Sequence, residues 1–160
     1  MDKEERTRRQ FCRQTCTAAG LAALGSAVLQ ACGGGGSPTS SGGGTSAPAL
    51  PRIAGTVTGG AIQVTIDSTS PLAAAGSAAL VKSAAGNVLV ARTAADAFMA
   101  LTATCTHEGC AITGFSGQSY VCPCHGSQFD TTGRVLNGPA TRSLRQYQTQ
   151  FASGVLTITA

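Results

Sequence analysis

Two short boxes in the second half of the chain carry residue types that bind metals. The first, Cys105–Cys110, reads C-T-H-E-G-C, and the second, Cys122–Ser127, reads C-P-C-H-G-S. The chain has two histidines, and both of them, His107 and His125, fall inside these boxes. Thiolate sulfur and imidazole nitrogen are ligands for zinc, copper and iron. The boxes therefore predict a metal site to which each contributes cysteine and histidine.

The residues alone leave more than one metal open. Two cysteines and two histidines can also make a structural zinc site, usually with the spacings C-x2–4-C and H-x3–5-H. Here cysteine and histidine interleave within each box, a pattern that suits two metal ions better than one. A zinc-stabilised, non-redox module remains as a minor alternative. A covalent c-type haem needs C-x-x-C-H, which the sequence lacks.

The sequence patterns around these boxes are typical of β-strands. Residues 62–66 alternate apolar and polar side chains with a period of two, which is typical of a half-buried strand. Further short β-like runs are 79–82 and 88–91 around a turn at 85–87, 98–102, and 145–151 and 155–159 around a turn at 152–154. No long helical periodicity appears after Arg52. The sequence thus predicts an all-β, mostly antiparallel domain over residues 51–160.

Composition limits what this domain can do. Only 11% of residues are charged and 4% are aromatic, and there is no tryptophan. Large side chains are scarce, so we expect a thin hydrophobic core. Such a domain needs additional stabilisation from cross-links such as disulfides or bound metals. The charges after Cys32 are few and scattered. Nothing in their distribution suggests a nucleic-acid-binding face.

The N-terminal 32 residues indicate an export signal. Arg8 and Arg9 precede a phenylalanine as in twin-arginine signals, and an Ala- and Gly-rich apolar run ends in L-Q-A-C at Cys32, which resembles a lipobox. We therefore expect a protein on the periplasmic side of a bacterial membrane, anchored by a lipid on Cys32 or by an uncleaved signal. Residues 33–50 are rich in Gly and Ser and predict a flexible linker. Leader and linker are both expected to be disordered.

The two boxes resemble those of Rieske 2Fe–2S proteins, specifically the disulfide-containing type found in cytochrome bc-type quinol oxidoreductases and their photosynthetic counterparts. The similarity continues through Gln128–Asp130, Gly133–Val135 and Gly138–Pro139, and covers roughly residues 104–144. It implies a small sandwich-like or barrel-like Rieske domain whose cluster-binding part, about 103–140, presents two loops. It also implies one 2Fe–2S cluster and a disulfide between Cys110 and Cys124. The implied cluster ligands are Cys105, His107, Cys122 and His125.

The resemblance also implies how the cluster is tuned. Two imidazole ligands in place of thiolates raise the reduction potential into a range of roughly −150 to +300 mV. Ser127 is expected to donate a hydrogen bond to a bridging sulfide. Phe129 stands where high-potential members carry a tyrosine, so we predict a potential below the top of that range. The Gly138–Pro139 segment is similar to the loop that shields the cluster from water.

One departure from the family pattern bears on function. Quinol-oxidising members usually carry an apolar residue after the first histidine, and this chain has Glu108 there. A carboxylate is costly to desolvate at an apolar docking tip, so it favours a partner with a polar or basic face. The leading hypothesis is an electron carrier, or the small subunit of an exported oxidoreductase. Its partner would be a cytochrome or a larger oxidoreductase subunit.

The alternative is the iron–sulfur subunit of a bc-type quinol oxidoreductase, tethered through its N-terminal anchor, with quinol as a further candidate partner. Ring-hydroxylating oxygenases need two more histidines for a catalytic iron, and this chain has none left to supply them. We therefore expect an electron-transfer protein or subunit without a substrate-transforming site of its own. Whether it works as part of an enzyme stays open at this point.

Overall fold

The computed structural model describes residues 47–159. Arg8, Arg9, Cys32 and the linker up to residue 46 lie outside the described residues, so the predictions made for them remain predictions. The described residues form twelve β-strands and no helix, which confirms the all-β prediction. These strands are β1 (Arg52–Ala54), β2 (Thr56–Thr58), β3 (Ala61–Thr65), β4 (Ala78–Ser83), β5 (Gly86–Ala94), β6 (Ala97–Thr102), β7 (Gly114–Ser116), β8 (Ser119–Val121), β9 (Gln128–Asp130), β10 (Val135–Asn137), β11 (Gln146–Ala152) and β12 (Val155–Thr159).

The larger of two sheets is a nearly closed barrel. Its eight strands follow the order β1-β4-β5-β6-β11-β12-β3-β2. The two strands at its ends, β1 and β2, are separated in sequence by Gly55 alone, so the chain itself joins the two edges. A Cβ atom at Gly55 would lie 2.7 Å from Cγ2 of Ile62 and 2.8 Å from Cγ1 of Val81. A residue without a side chain is therefore needed where the barrel closes.

All pairings in this sheet are antiparallel except one. Strand β1 runs parallel to β4, in register from Arg52 opposite Leu80 to Ala54 opposite Lys82. The remaining neighbours, including the β4–β5 and β11–β12 hairpins, are antiparallel. The prediction of a mostly antiparallel, barrel-like fold is therefore confirmed, with β1 as the exception.

The barrel interior is filled by alternate residues of its strands. Strand β3 shows the half-buried pattern expected from its sequence, because Ile62 and Val64 point inwards. The interior residues pack as one cluster of small and medium apolar side chains. They are Ile62, Val64, Ile66, Leu72, Ala79, Val81, Val88, Val90, Phe98, Ala100, Leu156 and Ile158.

Strands β4, β5 and β6 are buried on both faces. Their other face packs against the second sheet, which has four antiparallel strands in the order β10-β9-β8-β7. This double burial explains why residues 78–81 and 88–91 are continuous apolar runs instead of alternating ones. The residues of this second core are Leu50, Ala78, Leu80, Leu89, Ala91, Leu101, Ala103, Cys105, Ile112, Tyr120, Cys122, Phe129, Ala140 and Leu144.

The boundaries of two segments differ from the sequence expectation. The β4–β5 turn lies at residues 84–85, and Gly86, expected within the turn, already begins β5 with φ = +119°. The end of the predicted linker is also part of the fold. The N–H of Phe115 donates to the carbonyl of Pro48 at 2.9 Å, and Leu50 is buried in the second core. An apolar side chain and free backbone groups next to the β7 edge account for this pairing.

Among the described residues, no helix is long and apolar enough to cross a membrane.

Candidate metal centre

The first box forms a tight loop that leaves the end of β6. The N–H of Cys105 donates to the carbonyl of Cys110 at 2.8 Å, and the N–H of Gly109 donates to the carbonyl of Cys105 at 2.9 Å. Gly109 has φ = +75°, a conformation that a side chain would strain. The loop therefore holds its first cysteine through both backbone groups, which fixes the direction of that thiol.

The second box, between β8 and β9, repeats this geometry. The N–H of Cys122 donates to the carbonyl of Ser127 at 2.8 Å, and the N–H of Gly126 donates to the carbonyl of Cys122 at 3.0 Å. Gly126 has φ = +72°, nearly the same as the glycine of the first loop. The two boxes are thus equivalent turns, each beginning with a cysteine, although their sequences place the histidine one position apart.

The four cysteines of the boxes divide into two pairs. Cys110 and Cys124 form a disulfide with 6.5 Å between their Cα atoms, as the family resemblance implied. Cys105 and Cys122 are free and buried. Burial raises the pKa of the Cys122 thiol, and the neighbouring Cys105 thiol raises it further. Two adjacent buried thiols are an unfavourable pair to ionise, and a bound metal is what stabilises them as thiolates.

The two histidines lie at the exposed tip formed by the loops. The ring centroids of His107 and His125 are 5.0 Å apart, with ring planes at 89°. Their side chains are 27% and 48% exposed, respectively. Imidazoles in this position face solvent while the free thiols face the second core. The site is therefore asymmetric, with sulfur ligands on the inside and nitrogen ligands on the outside.

Glu108 lies beside both imidazoles, a contact that the sequence did not indicate. One carboxylate oxygen is 3.9 Å from Nε2 of His107, and the other is 3.6 Å from Nδ1 of His125. The side chain is 61% exposed. The sequence placed Glu108 next to His107, but only the facing loops bring it close to His125. The tip of the domain therefore carries a negative charge between its two imidazoles.

A third segment packs directly on the second box. Ser127 is completely buried, and its Oγ accepts a hydrogen bond from the N–H of Ala140 at 3.2 Å. A Cβ atom at Gly138 would lie only 2.5 Å from Cα of Ser127. An oxygen that accepts this bond keeps its own O–H free to donate. The Gly138–Pro139 segment thus packs against Ser127, while its effect on the cluster and that of Ser127 remain predictions.

Two aromatic residues of the second core lie behind the boxes. Phe129 is completely buried, and it pairs across the β8–β9 ladder with Tyr120. The Tyr120 hydroxyl is buried and has no hydrogen-bond partner within residues 47–159. Burial raises its pKa well above the usual value. The sequence does not single out Tyr120, because a tyrosine in a short strand gives no sign that its hydroxyl is enclosed.

This donor set fits a 2Fe–2S cluster of mixed ligation. Such a centre uses two cysteines and two histidines, with both histidines on one iron. The structure offers a pair of free buried thiols and a pair of partly exposed imidazoles in facing loops, and the other two box cysteines form a disulfide. No other free thiol lies among the described residues, and the joint role of Cys105, His107, Cys122 and His125 as cluster ligands remains a prediction.

Residues 63–148, more than half of the chain, match the family described as the Rieske [2Fe-2S] domain. The chain belongs to this family, which binds a 2Fe–2S cluster, and the alternative of a zinc module is thereby set aside. Together with the disulfide and the two loops, this membership defines a Rieske 2Fe–2S electron-transfer protein.

Curated relatives match over part of their length. The chain is 56% identical over 45 residues to the cytochrome b6-f complex iron-sulfur subunit of Prochlorococcus marinus (strain NATL1A), which is 28% of this chain and 25% of that protein. It is 43% identical over 60 residues to the subunit of the same name from Cyanothece sp. (strain PCC 7425 / ATCC 29141), or 37% of this chain and 34% of that protein. The matches thus span a quarter to a third of these relatives.

Solved structures show the same fold. The cyanobacterial plasma membrane Rieske protein PetC3 from Synechocystis PCC 6803 superposes with a TM-score of 0.51 and 34% identity, over 61% of this chain and 99% of that chain. Naphthalene 1,2-dioxygenase superposes with a TM-score of 0.52 and 20% identity, over 62% of this chain and 25% of that chain. At this low identity the second likeness concerns the fold alone.

Proposed function

We propose that this protein is a membrane-tethered periplasmic electron carrier, or the small electron-transfer subunit of an exported oxidoreductase. The observation that carries the proposal is the tip, where a half-buried and an exposed imidazole flank the Glu108 carboxylate. A charged tip suits a polar partner surface, because burying an unpaired carboxylate against an apolar one is unfavourable. The twin-arginine motif at Arg8 and Arg9 and the lipobox-like Cys32 support export and anchoring.

In this proposal Cys105 and Cys122 hold one iron and His107 and His125 hold the other. The bound cluster supplies reversible storage of a single electron. The chain contributes the rest: buried thiol positions, an enclosed Ser127 hydroxyl able to donate a hydrogen bond, and the Gly138–Pro139 segment that covers the second loop. The exposed imidazole edges are the part of the centre that a partner can contact.

The second candidate is the iron–sulfur subunit of a bc-type quinol oxidoreductase. It is favoured by the matches to cytochrome b6-f iron–sulfur subunits. It is disfavoured by Glu108, which would have to be desolvated at an apolar docking site. Phe129 also lacks the hydroxyl that, by the family resemblance, accompanies a high potential.

A redox titration of the full-length protein, followed by EPR, separates the two candidates. A Rieske-type reduced signal with a midpoint well below +300 mV supports the carrier, because the tuning hydroxyl is absent at Phe129. A midpoint at the top of the range, together with reduction by a quinol, would instead establish the second candidate. A preparation that contains iron and sulfide but shows no such signal would contradict both.

Export and anchoring are tested separately by cell fractionation. The full-length protein is expected in the membrane fraction, accessible to protease added from the periplasmic side. Replacement of both arginines, Arg8→Lys and Arg9→Lys, should leave it in the cytoplasm. If the anchor is a lipid on Cys32, Cys32→Ser should abolish labelling with palmitate and leave the precursor uncleaved. If the signal is retained uncleaved, the same change should alter neither labelling nor size. If the unaltered protein is found in the cytoplasm, the proposed periplasmic location is wrong.

A further inference from the structure

An open groove of about 500 Å³ runs along one side of the first box. We call it the arginine groove and define it by Thr102, Thr104, Thr106, Arg142, Ser143 and Arg145, which line it together with Glu108 at the tip end. Its other lining residues include Cys105 and His107, so whatever occupies it touches the residues of the metal centre. The groove thus extends from the histidine tip along the side of the first box and offers a partner further contact surface next to the cluster loops.

Two long-range hydrogen bonds fix the walls of the arginine groove. The Thr106 hydroxyl donates to the carbonyl of Arg142 at 2.6 Å, which ties the first box to the segment before β11. The N–H of Thr102 donates to the carbonyl of Arg145 at 2.9 Å, which ties the same segment to β6. Because both bonds use the backbone of the arginines, their guanidinium groups remain available. The groove is therefore a built feature with a defined shape.

Arg142 and Arg145 differ from Arg92 and Arg134, whose guanidinium groups are engaged in contacts, while Arg52 of β1 is exposed but does not line the groove. Arg134 pairs with Asp130, with 3.4 Å between Nε and the carboxylate oxygen. Arg92 donates to backbone carbonyls, among them that of Ala73 at 2.7 Å. By contrast, Arg142 and Arg145 are exposed, and within residues 47–159 no carboxylate oxygen lies within 4.0 Å of either guanidinium. Arg145 is held over the Tyr147 ring, 5.1 Å from its centroid.

We infer that the arginine groove is the docking surface for an acidic segment of the protein that exchanges electrons with this one. The inference rests on the proposed function and adds the chemistry of the partner. Guanidinium groups bind carboxylates with paired hydrogen bonds, and the threonine and serine hydroxyls offer further donors to the same oxygens. A partner that fills the groove lies against the loop of Cys105 and His107, which is where an electron has to pass.

Glu108 makes the charge at one end of the arginine groove opposite to that at the other end. It lines the groove at the tip end, near both imidazoles, and carries the opposite charge to Arg142 and Arg145. Complementary charges across an interface set the encounter rate and the register of two proteins more than their final affinity. The partner is therefore expected to present acidic residues to the arginines and a basic residue to Glu108.

The test uses stopped-flow oxidation of the reduced, full-length protein by one cytochrome c in two forms. The native form is basic, and the form with succinylated lysines is acidic, while the haem is the same. The variant Arg142→Gln/Arg145→Gln should lower the rate constant for the acidic form about threefold to tenfold at low ionic strength. The difference should vanish as salt screens the charges. The rate for the basic form should not fall.

A matched control removes two positive charges elsewhere. Lys82 and Arg52 are exposed, have no carboxylate oxygen within 4.0 Å among the described residues and do not line the groove, so Lys82→Gln/Arg52→Gln should change the rate for the acidic form less than twofold. Glu108→Gln should act in the opposite sense, lowering the rate for the basic form. Reduction potentials and EPR spectra of all variants are compared first, so that rates refer to equal driving force and intact clusters.

The possible outcomes separate a failure of the docking inference from a failure of the proposed function. Equal effects of the groove variant and the control variant would overturn the inference, while electron transfer to both cytochromes would leave the proposed function standing. Absence of the EPR signal in the unaltered protein would instead contradict the proposed function. If the groove variant loses binding to phosphatidylglycerol vesicles but keeps its rates with both cytochromes, the groove serves a lipid surface and the inference is wrong.

Discussion

Replacing Gly138 by alanine tests how tightly the third segment is seated on the metal centre. Gly138 has φ = +94°, a region that L-residues with a side chain rarely adopt. Its Cβ would lie 2.5 Å from Cα and 2.9 Å from N of Ser127, well inside the roughly 3.5–4.0 Å of a normal carbon contact. Both colliding atoms belong to the backbone of the second box, so no side-chain rotation can relieve the contact.

The expected loss of stability has two parts. A left-handed backbone conformation costs an alanine roughly 1–2 kcal/mol. Forcing extra volume into a packed site costs about 1–3 kcal/mol more. We therefore expect Gly138→Ala to lower the free energy of unfolding by about 3 kcal/mol. The displaced backbone is that of Ser127, so the second loop should shift and expose the cluster to water.

Gly76→Ala is the matched control for the backbone part alone. Gly76 has a similar φ of +84°, and a Cβ there would meet nothing within 4 Å. It should therefore cost only about 1–2 kcal/mol. For a domain of this size a difference of about 2 kcal/mol corresponds to roughly 8 °C in the apparent Tm. Loss of a bound cluster is irreversible, so both variants must be heated at the same rate and followed by far-UV CD.

Visible absorbance of the cluster gives the second readout. We expect the cluster of Gly138→Ala to bleach several-fold faster than that of Gly76→Ala when both are held at the same temperature below the unfolding transition. Equal Tm values and equal bleaching rates would refute the reasoning. They would mean that the Gly138–Pro139 segment does not press on Ser127 in the cluster-loaded protein.

Three further substitutions test single features of the second core and the loops. Tyr120→Phe should raise the free energy of unfolding, measured in urea, by about 1 kcal/mol, because the buried hydroxyl lacks a partner among the described residues. A lower stability than that of the unaltered protein would mean that the hydroxyl is bound when the cluster is present. Phe129→Tyr should raise the midpoint reduction potential of the cluster by about 20–65 mV in a redox titration, equivalent to one hydrogen bond of roughly 0.5–1.5 kcal/mol. An unchanged reduction potential would contradict the expectation that the residue at this position tunes the cluster. Cys110→Ser/Cys124→Ser removes a bridge between residues 14 apart and should cost about 3 kcal/mol. A cluster half-life in urea equal to that of the unaltered protein would show that the disulfide does not hold the loops.

Much of the fold was predictable because strand periodicity is a local property. The alternation at 62–66 appears as β3, and the runs near the C terminus appear as the β11–β12 hairpin. The short strands β7 to β10 were not predicted. At three residues each they are too brief for a period of two to be recognised. The closure of the barrel at Gly55 likewise depends on β1 meeting β4, which lies more than twenty residues further along the chain.

The sequence by itself determined the family, the cofactor class and the disulfide. These follow from two boxes in which residue type and spacing within six positions carry the chemistry, so no distant contact was needed to recognise them. The tertiary structure alone decided what surrounds the boxes. It places Glu108 beside His125, and it brings Arg142 to Thr106 across a separation of 36 residues. Such contacts depend on how strands pair across the whole domain. That pairing cannot be recognised from the neighbouring residues in the sequence, so these contacts could not be predicted from it.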